Sequence, residues 1–178
     1  MALHDDLLDQ AFHLIQREPR KPRQASLRRA VSVAYYTLFH LLTAEGARRF
    51  FPAKPRELRP LVQRACNHGD MRNVCAAFAS GHRAFIKTGA LGLNAPPSYQ
   101  LLSFPLEAAL VDVIEAFLIL QAARNDADYN FIKPWNRTNA LRRVEDARQA
   151  LTACSTIRDT QNATVFLTAL LLQRHWGR

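Results

Sequence analysis

The chain has little of the material from which disulfide frameworks and metal centres are built. Three cysteines are an odd number and lack metal-ligand spacing, which argues against a disulfide framework and a zinc site. The six histidines are scattered, and none pairs with another at the close helical spacing of a metal site. We therefore expect no metal and no cofactor, and we expect Cys66, Cys75 and Cys154 to be small buried hydrophobes.

Long apolar runs are also missing. The most apolar stretch, residues 108–123, is interrupted by Asp112 and Glu115, and the run 165–172 is too short to span a bilayer. The first six residues (MALHDD) are acidic where a signal peptide would be basic. These features predict a cytoplasmic protein without a membrane partner.

Only six glycines are present, which limits turns and favours few, long elements. Apolar residues recur at three- and four-residue steps, and no strand alternation of useful length occurs. The sequence therefore predicts an all-α fold, an antiparallel bundle of about six to seven helices in one domain over residues 1–178. The predicted helices cover approximately residues 3–18, 24–50, 56–67, 71–86, 104–130, 138–157 and 162–175.

Local signals set several of these bounds. Asp70 is expected to cap the fourth helix and Ser103 the fifth, with Pro105 in its first turn. Residues 88–100, rich in glycine and proline, are expected to form a loop. The core stripe of the second helix is predicted to be Leu27, Ala30, Val31, Ala34, Tyr35, Leu38 and Leu42.

The seventh helix is apolar on more than one face, which exceeds what a single core seam requires. This surplus predicts a two-fold dimer. The residues concerned are Val165, Phe166, Leu167, Leu170, Leu171 and Leu172.

Positive charge is concentrated in one part of the chain, whose net charge is +9. Residues 17–64 hold twelve of the 24 Lys and Arg but three of the 15 Asp and Glu. Clustered arginine is typical of proteins that bind phosphate backbones, although two clusters at opposite ends of a helix about 35 Å long also suit separate solvated surfaces. The predicted nucleic-acid contacts are Arg28, Arg29, Arg48, Arg49, Lys54 and Arg56.

The end of the most apolar helix carries a polar run, residues 124–130 (RNDADYN). A helix C-terminus bears partial negative charge and disfavours acids, so these carboxylates need a reason. Arg124 stands four residues before Asp128 and can neutralise it if the helix continues that far. The run is either a solvated helix end or a functional cluster.

Residues 28–42 (RRAVSVAYYTLFHLL) resemble the signature helix of the HEPN superfamily, in which a small residue and a paired aromatic precede a Phe-His pair. Residues 124–130 resemble the second HEPN signature, an arginine at the end of a later helix followed by a short polar run. The motifs stand in the expected order, about ninety residues apart. The resemblance covers about residues 24–150, and residues 64–72 are similar to a segment of some uncharacterised bacterial members.

The resemblance implies metal-independent RNA cleavage, which many HEPN proteins perform where two protomers meet. In that pattern four to six residues separate the arginine from a histidine, but here the window holds Tyr129, Asn130 and Phe131. Histidine takes and returns a proton near neutral pH, whereas an amide only orients a phosphate or hydroxyl. The implied site consists of Arg124, Asn125, Asp128, Tyr129 and Asn130.

Three functional hypotheses follow. The first is a homodimeric HEPN-like protein that binds RNA or nucleotide at a cleft around Arg124, with weak or no cleavage. The second is an active ribonuclease of the toxin or phage-defence kind, with Asp126 or Asp128 as substitute base. The third is a non-catalytic interaction module that pairs with a nucleotidyltransferase or another protein encoded nearby. We expect the first.

Overall fold

The computed structural model describes residues 2–91 and 97–176, and these residues contain helices and no strand. The all-α prediction is therefore confirmed. The helices are α1 (Leu3–Gln16), α2 (Gln24–Phe50), α3 (Arg59–Ala65), α4 (His68–Thr88), α5 (Ala108–Tyr129), α6 (Arg137–Thr156) and α7 (Gln161–Trp176), with 3₁₀ turns at Arg56–Leu58 and Pro97–Leu101.

The chain divides into two compact units. The first comprises Met1–Leu41 and Ala116–Thr152, and the second comprises Leu42–Glu115 and Ala153–Arg178. Each unit buries apolar side chains of its own, so each is described separately. The single domain expected over residues 1–178 stays a prediction.

In the first unit, α2 and α5 pack antiparallel. The rings of Tyr35 and Phe117 lie 5.5 Å apart, while Arg28, earlier in α2, contacts the carbonyl of Ala127, later in α5. The predicted stripe of α2 is buried because residues three and four apart share one helix face. Its buried members in this unit are Leu27, Ala30, Val31, Ala34, Tyr35 and Leu38.

The linker between α5 and α6 is fixed to the start of α2. The side-chain amide of Gln24 donates to the carbonyl of Trp135 at 2.6 Å, and its oxygen accepts the Trp135 N–H at 2.9 Å. The Trp135 side chain is itself buried. Residues 130–136 are therefore held beside the first turn of α2.

In the second unit, α4 packs on α7. Phe78 of α4 contacts Phe166 of α7, with ring centroids 5.3 Å apart. Val165, Phe166, Leu167 and Leu170, which suggested a dimer, are all buried within the chain. Leu171 and Leu172 are half-buried, so most of the apolar surface of α7 is covered within the chain and gives little reason for a dimer. The dimer itself stays a prediction.

The start of α4 differs from its prediction. The helix begins at His68 because Asn67, and not Asp70, is the N-cap: the Asn67 side-chain oxygen accepts the Asp70 N–H at 2.8 Å. The helix ends at Thr88, two residues later than predicted, and its C-cap is Gly89, whose φ is 71°. Of the predicted loop 88–100, residues 92–96 lie outside the described residues.

The start of α5 also differs, since the helix begins at Ala108 and not after Ser103. The Asn162 side chain accepts the Ser103 N–H and donates to the Ser103 carbonyl, both at 2.8 Å. The Leu106 N–H donates to Nδ1 of His82 at 3.3 Å. These side chains hold residues 103–106 from outside the helix, and α5 begins two residues later, at Ala108.

Candidate functional site

A polar stripe on α2 contacts the end of α5. Arg28, Ser32 and Tyr36 stand four residues apart, so they lie on one face of the helix. Each of them hydrogen-bonds to a residue within 124–130. The polar run is therefore an organised cluster and not a freely solvated helix end.

Arg28 fixes the end of α5. Its guanidinium donates to the carbonyls of Ala127 at 2.8 Å, Asn130 at 3.0 Å and Lys133 at 2.7 Å, and more weakly to that of Asp126 at 3.4 Å. The last carbonyls of a helix have no partner within the helix, and a cation there is favourable. The planar fork of arginine reaches several acceptors at once. Arg28 therefore joins the helix end and the following linker.

Arg124 is the centre of the cluster. Its Nε lies 2.8 Å from Oδ2 of Asp128, as the four-residue spacing predicts. Its Nη2 donates to the Tyr36 hydroxyl at 3.1 Å and its Nη1 donates to Oδ1 of Asn125 at 3.3 Å. Ser32 donates to the same Asp128 oxygen at 3.3 Å. The Arg124 cluster, by which we mean Arg124, Asp128, Tyr36 and Ser32, thus joins two helices.

The Arg124 side chain is 19% exposed, and its Nε–H has no well-aligned hydrogen bond to the nearby carboxylate. Burial lowers the pKa of Arg124, but the hydrogen bond to Tyr36 and the charges of Tyr36, Asp128 and Tyr129 raise it by more. The rings of Tyr129 and Tyr36 flank the guanidinium at 5.2 and 5.8 Å. Arg124 is therefore a permanent cation held on several sides.

The second carboxylate of the run is paired as well. Asp126 forms an ion pair with Nζ of Lys133, which lies in the linker after α5. With Arg124 on Asp128 and Lys133 on Asp126, each acid of the run has one basic partner. The acids that α5 places at its own negative end are thus neutralised locally.

An open depression of about 680 Å³ lies at the end of α5. Three of the predicted site residues, Asn125, Tyr129 and Asn130, line it together with Asp126, Phe131 and Ile132. Arg124 and Asp128 do not line it, although Arg124 contacts both Asn125 and Tyr129. The structure therefore brings the predicted residues together in two adjoining layers, an ionic cluster and an open surface.

Aromatic and apolar side chains project from this depression into solvent. Tyr129 is 67% exposed, Phe131 82% and Ile132 94%. The guanidinium of Arg28 lies 5.9 Å from the centre of the Phe131 ring, and that of Arg124 lies 5.2 Å from the Tyr129 ring. A cation therefore supports each exposed ring.

No histidine lines the depression. His40 stands one turn after Tyr36 on α2, with ring centroids 6.3 Å apart, and its ring also contacts Phe39. Burial, and then the charge of His4, lowers the pKa of His40. His40 is therefore a neutral, partly buried neighbour of the cluster at neutral pH.

The basic residues predicted to contact nucleic acid have different surroundings in the first unit. Arg28 is committed to backbone carbonyls, whereas Arg29 is exposed. Arg20, Lys21 and Arg23, which precede α2, are exposed too, and their side chains have no acidic partner among the described residues. The accessible positive charge here lies just before α2 and in its first turns.

In the second unit, two of the predicted residues are in ion pairs. Glu45, whose side chain is 8% exposed, binds Arg48 and Arg158, each at 2.8 Å. Arg49 lies 3.5 Å from Asp159. Lys54 and Arg56 are exposed. Contact of Arg48 and Arg49 with nucleic acid stays a prediction. Such contact would have to compete with the acidic side chains to which both arginines are already paired.

The sequence interpretation missed Ser32 and Tyr36 as members of the cluster. Their signal was available, because both follow Arg28 at four-residue intervals on the same helix face. It also missed Lys133 as the partner of Asp126. The only sequence signal for this pair is that Lys133 follows Asp126 closely, just beyond the end of the helix.

Among residues 2–91 and 97–176, no three His, Cys, Asp or Glu side chains gather as a metal site would require. In the same residues, no helix combines the length and the apolar character needed to cross a bilayer. Comparison of the chain with protein-family models, curated proteins and solved structures gave no match.

Proposed function

We propose that this protein is a HEPN-like, RNA- or nucleotide-associated protein that binds its ligand beside Arg124 with weak or no cleavage. One observation carries the proposal: a permanently charged arginine, braced by Tyr36 and Asp128, stands behind an open depression lined by amides and exposed aromatics. A closed structural ion pair needs neither the depression nor the exposed rings.

Weak cleavage follows from the surrounding acids and bases. Cleavage through the 2′-hydroxyl of RNA requires a group that exchanges a proton near neutral pH. Asp128 is paired with Arg124 and Asp126 with Lys133, so each carboxylate is already engaged by a basic side chain. The amides of Asn125 and Asn130 cannot exchange a proton in this range.

We further propose a cytoplasmic, two-fold dimer with the Arg124 cluster at or near its interface. The support comes from the α5–α6 linker, where Phe131 and Ile132 are among the most exposed large apolar side chains of the described chain. Exposed apolar side chains that cluster on a surface mark interaction sites. Light scattering at tens of micromolar tests the dimer, and a monomer at that concentration contradicts it.

The functional test measures binding and cleavage together. The protein is incubated in EDTA with a labelled single-stranded RNA of about 20 nucleotides, and binding is followed by fluorescence anisotropy. We expect Arg124→Ala to weaken binding about tenfold to hundredfold, the range of a charged hydrogen bond.

Arg143→Ala is a closely matched control. Arg143 pairs with Asp146 within α6, and the two side chains are 20% and 25% exposed, against 19% and 27% for Arg124 and Asp128. We expect similar losses of stability from both variants but a loss of RNA binding only from Arg124→Ala. Strong cleavage that needs Arg124 favours the ribonuclease hypothesis, and no binding of any RNA favours the interaction module.

A further inference from the structure

We propose that the depression at the end of α5 takes an unpaired base of single-stranded RNA, which stacks on Tyr129 and Phe131. This inference rests on the proposed function and names the part of the ligand that the site contacts. It commits to a flat, uncharged heterocycle in the depression, with the phosphates bound elsewhere.

The charges around the depression argue for a base and against a phosphate. Asp126 and Asp128 are each matched by one cation, and Arg28 is committed to the carbonyls at the negative end of α5. The depression therefore offers little unmatched positive charge. A phosphate therefore gains little attraction there to offset the loss of its hydration, whereas an uncharged base loses much less on leaving water.

The lining also has the chemistry that bases use. Tyr129 and Phe131 are mostly exposed, and a guanidinium supports each ring. Aromatic rings of this kind accept any base, because every base has a π-face. The side-chain oxygen of Asn125 accepts from Arg124 and that of Asn130 accepts from the Lys133 N–H, which leaves each NH₂ group as a donor without a partner among the described residues. Two such donors suit the carbonyl and ring-nitrogen acceptors on a base edge.

Positive charge for the adjacent phosphates lies close along the chain. Gln24 binds Trp135, which holds the α5–α6 linker beside the first turn of α2. Lys21, Arg23 and Arg29 surround Gln24 in sequence and are exposed. A single stacked base adds too little for a free nucleotide to bind well, so the phosphates of a polymer are needed to retain it.

The experiment compares three ligands by fluorescence anisotropy at one salt concentration: a labelled 12-nucleotide single-stranded RNA, the same backbone with abasic sites, and a 12-base-pair RNA duplex. We expect the abasic strand and the duplex to bind about five- to hundredfold more weakly, the range contributed by base–aromatic stacking. Equal affinity for the abasic strand overturns the proposal, and so does a mononucleotide, uridine monophosphate, that binds as tightly as the 12-mer.

Variants assign the effect to residues. Tyr129→Ala and Phe131→Ala should weaken the base-bearing strand about five- to hundredfold and leave the abasic strand unchanged, while Phe131→Tyr retains binding. Ile86→Ala, at another exposed apolar side chain (63% exposed), is the matched control and should have no effect. Wild-type affinity in both alanine variants overturns the proposal. If either alanine variant unfolds, Phe131→Tyr and the abasic strand still test stacking.

The phosphate-binding residues have their own test. Lys21→Glu with Arg23→Glu should weaken both strands by the same factor and lower the log–log salt slope by about 0.7 for each phosphate no longer neutralised. RNA binding that requires Arg124 but ignores the bases overturns this inference and leaves the proposed function standing. No RNA binding at all removes both.

Discussion

The two units each contain a partly buried cluster of arginine and carboxylate, and the clusters differ in what surrounds them. In the Glu45 cluster (Glu45, Arg48 and Arg158), two arginines bind one carboxylate that is 8% exposed. In the Arg124 cluster, one arginine forms an ion pair with a carboxylate and donates hydrogen bonds to a phenol and to the neighbouring amide of Asn125. In the Glu45 cluster the charges pair with one another inside the fold, whereas the Arg124 cluster lies behind an open depression.

The side chains next to each cluster also differ in their exposure to solvent. Beside the Glu45 cluster, burial and then the charge of Glu45 raise the pKa of the Cys154 thiol to about 11, against the opposing charges of Arg158 and Arg48. That thiol stays protonated and inert at neutral pH. Beside the Arg124 cluster, Tyr129 and Phe131 are in solvent. Similar ion pairs thus mark a structural site in one unit and a candidate binding site in the other.

The largest expected effect comes from introducing an imidazole beside the Arg124 cluster, where the HEPN-like pattern that we propose has a histidine. Asn130 lines the depression and stands in the histidine window after Arg124. Positioned acid–base catalysis contributes about 10²- to 10⁴-fold, so we expect Asn130→His to raise RNA cleavage by a measurable part of that range. Cleavage of labelled RNA in EDTA is the measurement.

Two controls decide what a gain means. Arg124→Ala in the Asn130→His background should abolish the gain, because it removes the guanidinium that supports the Tyr129 ring and binds Asn125 beside the introduced imidazole. Tyr129→His tests the neighbouring position of the window. No gain from either histidine in a protein that still binds RNA indicates that the Arg124 cluster serves binding alone.

The next largest effect concerns stability and the Glu45 cluster. Glu45→Ala removes two ion pairs and leaves Arg48 and Arg158 without their buried counter-ion. Breaking a buried pair costs about 3–5 kcal/mol, but these arginines are 34% and 46% exposed, so we expect a loss of about 2–4 kcal/mol in the free energy of unfolding.

Urea denaturation measures this loss, and Glu145→Ala is its control. Glu145 pairs with Arg148 on α6, where the two side chains are 35% and 53% exposed, so the change there should stay within about 0.5 kcal/mol. Equal losses in the two variants would show that the Glu45 cluster is no more structural than a surface pair.

A smaller loss is expected at Arg28, for which the adjacent arginine provides the control. Arg28→Ala frees four carbonyl groups that water solvates in part, so we expect a cost of about 1–2 kcal/mol. Arg28→Lys should recover little, since a single ammonium cannot span these acceptors. Arg29→Ala, at an exposed side chain, should be near neutral.

Hydrogen exchange gives Arg28→Ala a local signature. The amides at the end of α5 should exchange faster, because the last turn loses its partner, while those in the middle of the helix keep their protection. Uniform change along α5 would mean that Arg28 stabilises the unit as a whole and does not specifically close the helix end.

Features encoded by neighbouring residues were predictable from the sequence. The bounds of α2, its buried stripe and the Arg124–Asp128 pair depend on spacings of three and four residues, which the sequence displays directly. The cap of α4 was misplaced by three residues, because two nearby candidates, Asn67 and Asp70, have equally good capping side chains.

Features that depend on distant residues were not predictable. α5 starts only at Ala108, after a segment whose Ser103 is bound by Asn162, 59 residues away. Arg28 closes the end of α5 through carbonyls 98 to 105 residues away, and its sequence signal was identical to that of Arg29. The sequence shows that a residue in a basic cluster is charged but not what it binds. The predicted nucleic-acid contacts therefore included Arg28, which binds backbone carbonyls of the same chain.

The smallest expected effect is a pH dependence at His40, next to the Arg124 cluster. Burial, and then His4, lowers the pKa of His40 below its ordinary value of 6.5. Between the lowered pKa and 6.5, the unfolded chain binds more protons than the folded one, so the free energy of unfolding falls as the pH decreases through that window. For one proton the slope cannot exceed about 1.4 kcal/mol per pH unit.

Urea midpoints of the wild type and His40→Gln, measured from pH 8 to pH 5, isolate this contribution because other titrating groups are common to both proteins. We expect the variant to lose less stability than the wild type on acidification, and His4→Gln to reduce the slope by a smaller amount, since burial is the larger cause. Parallel profiles would mean that His40 takes up its proton as readily in the folded protein as in the unfolded chain. A charged imidazole would then stand one turn from Tyr36, and the Arg124 cluster would have beside it the proton-exchanging group that its own depression lacks.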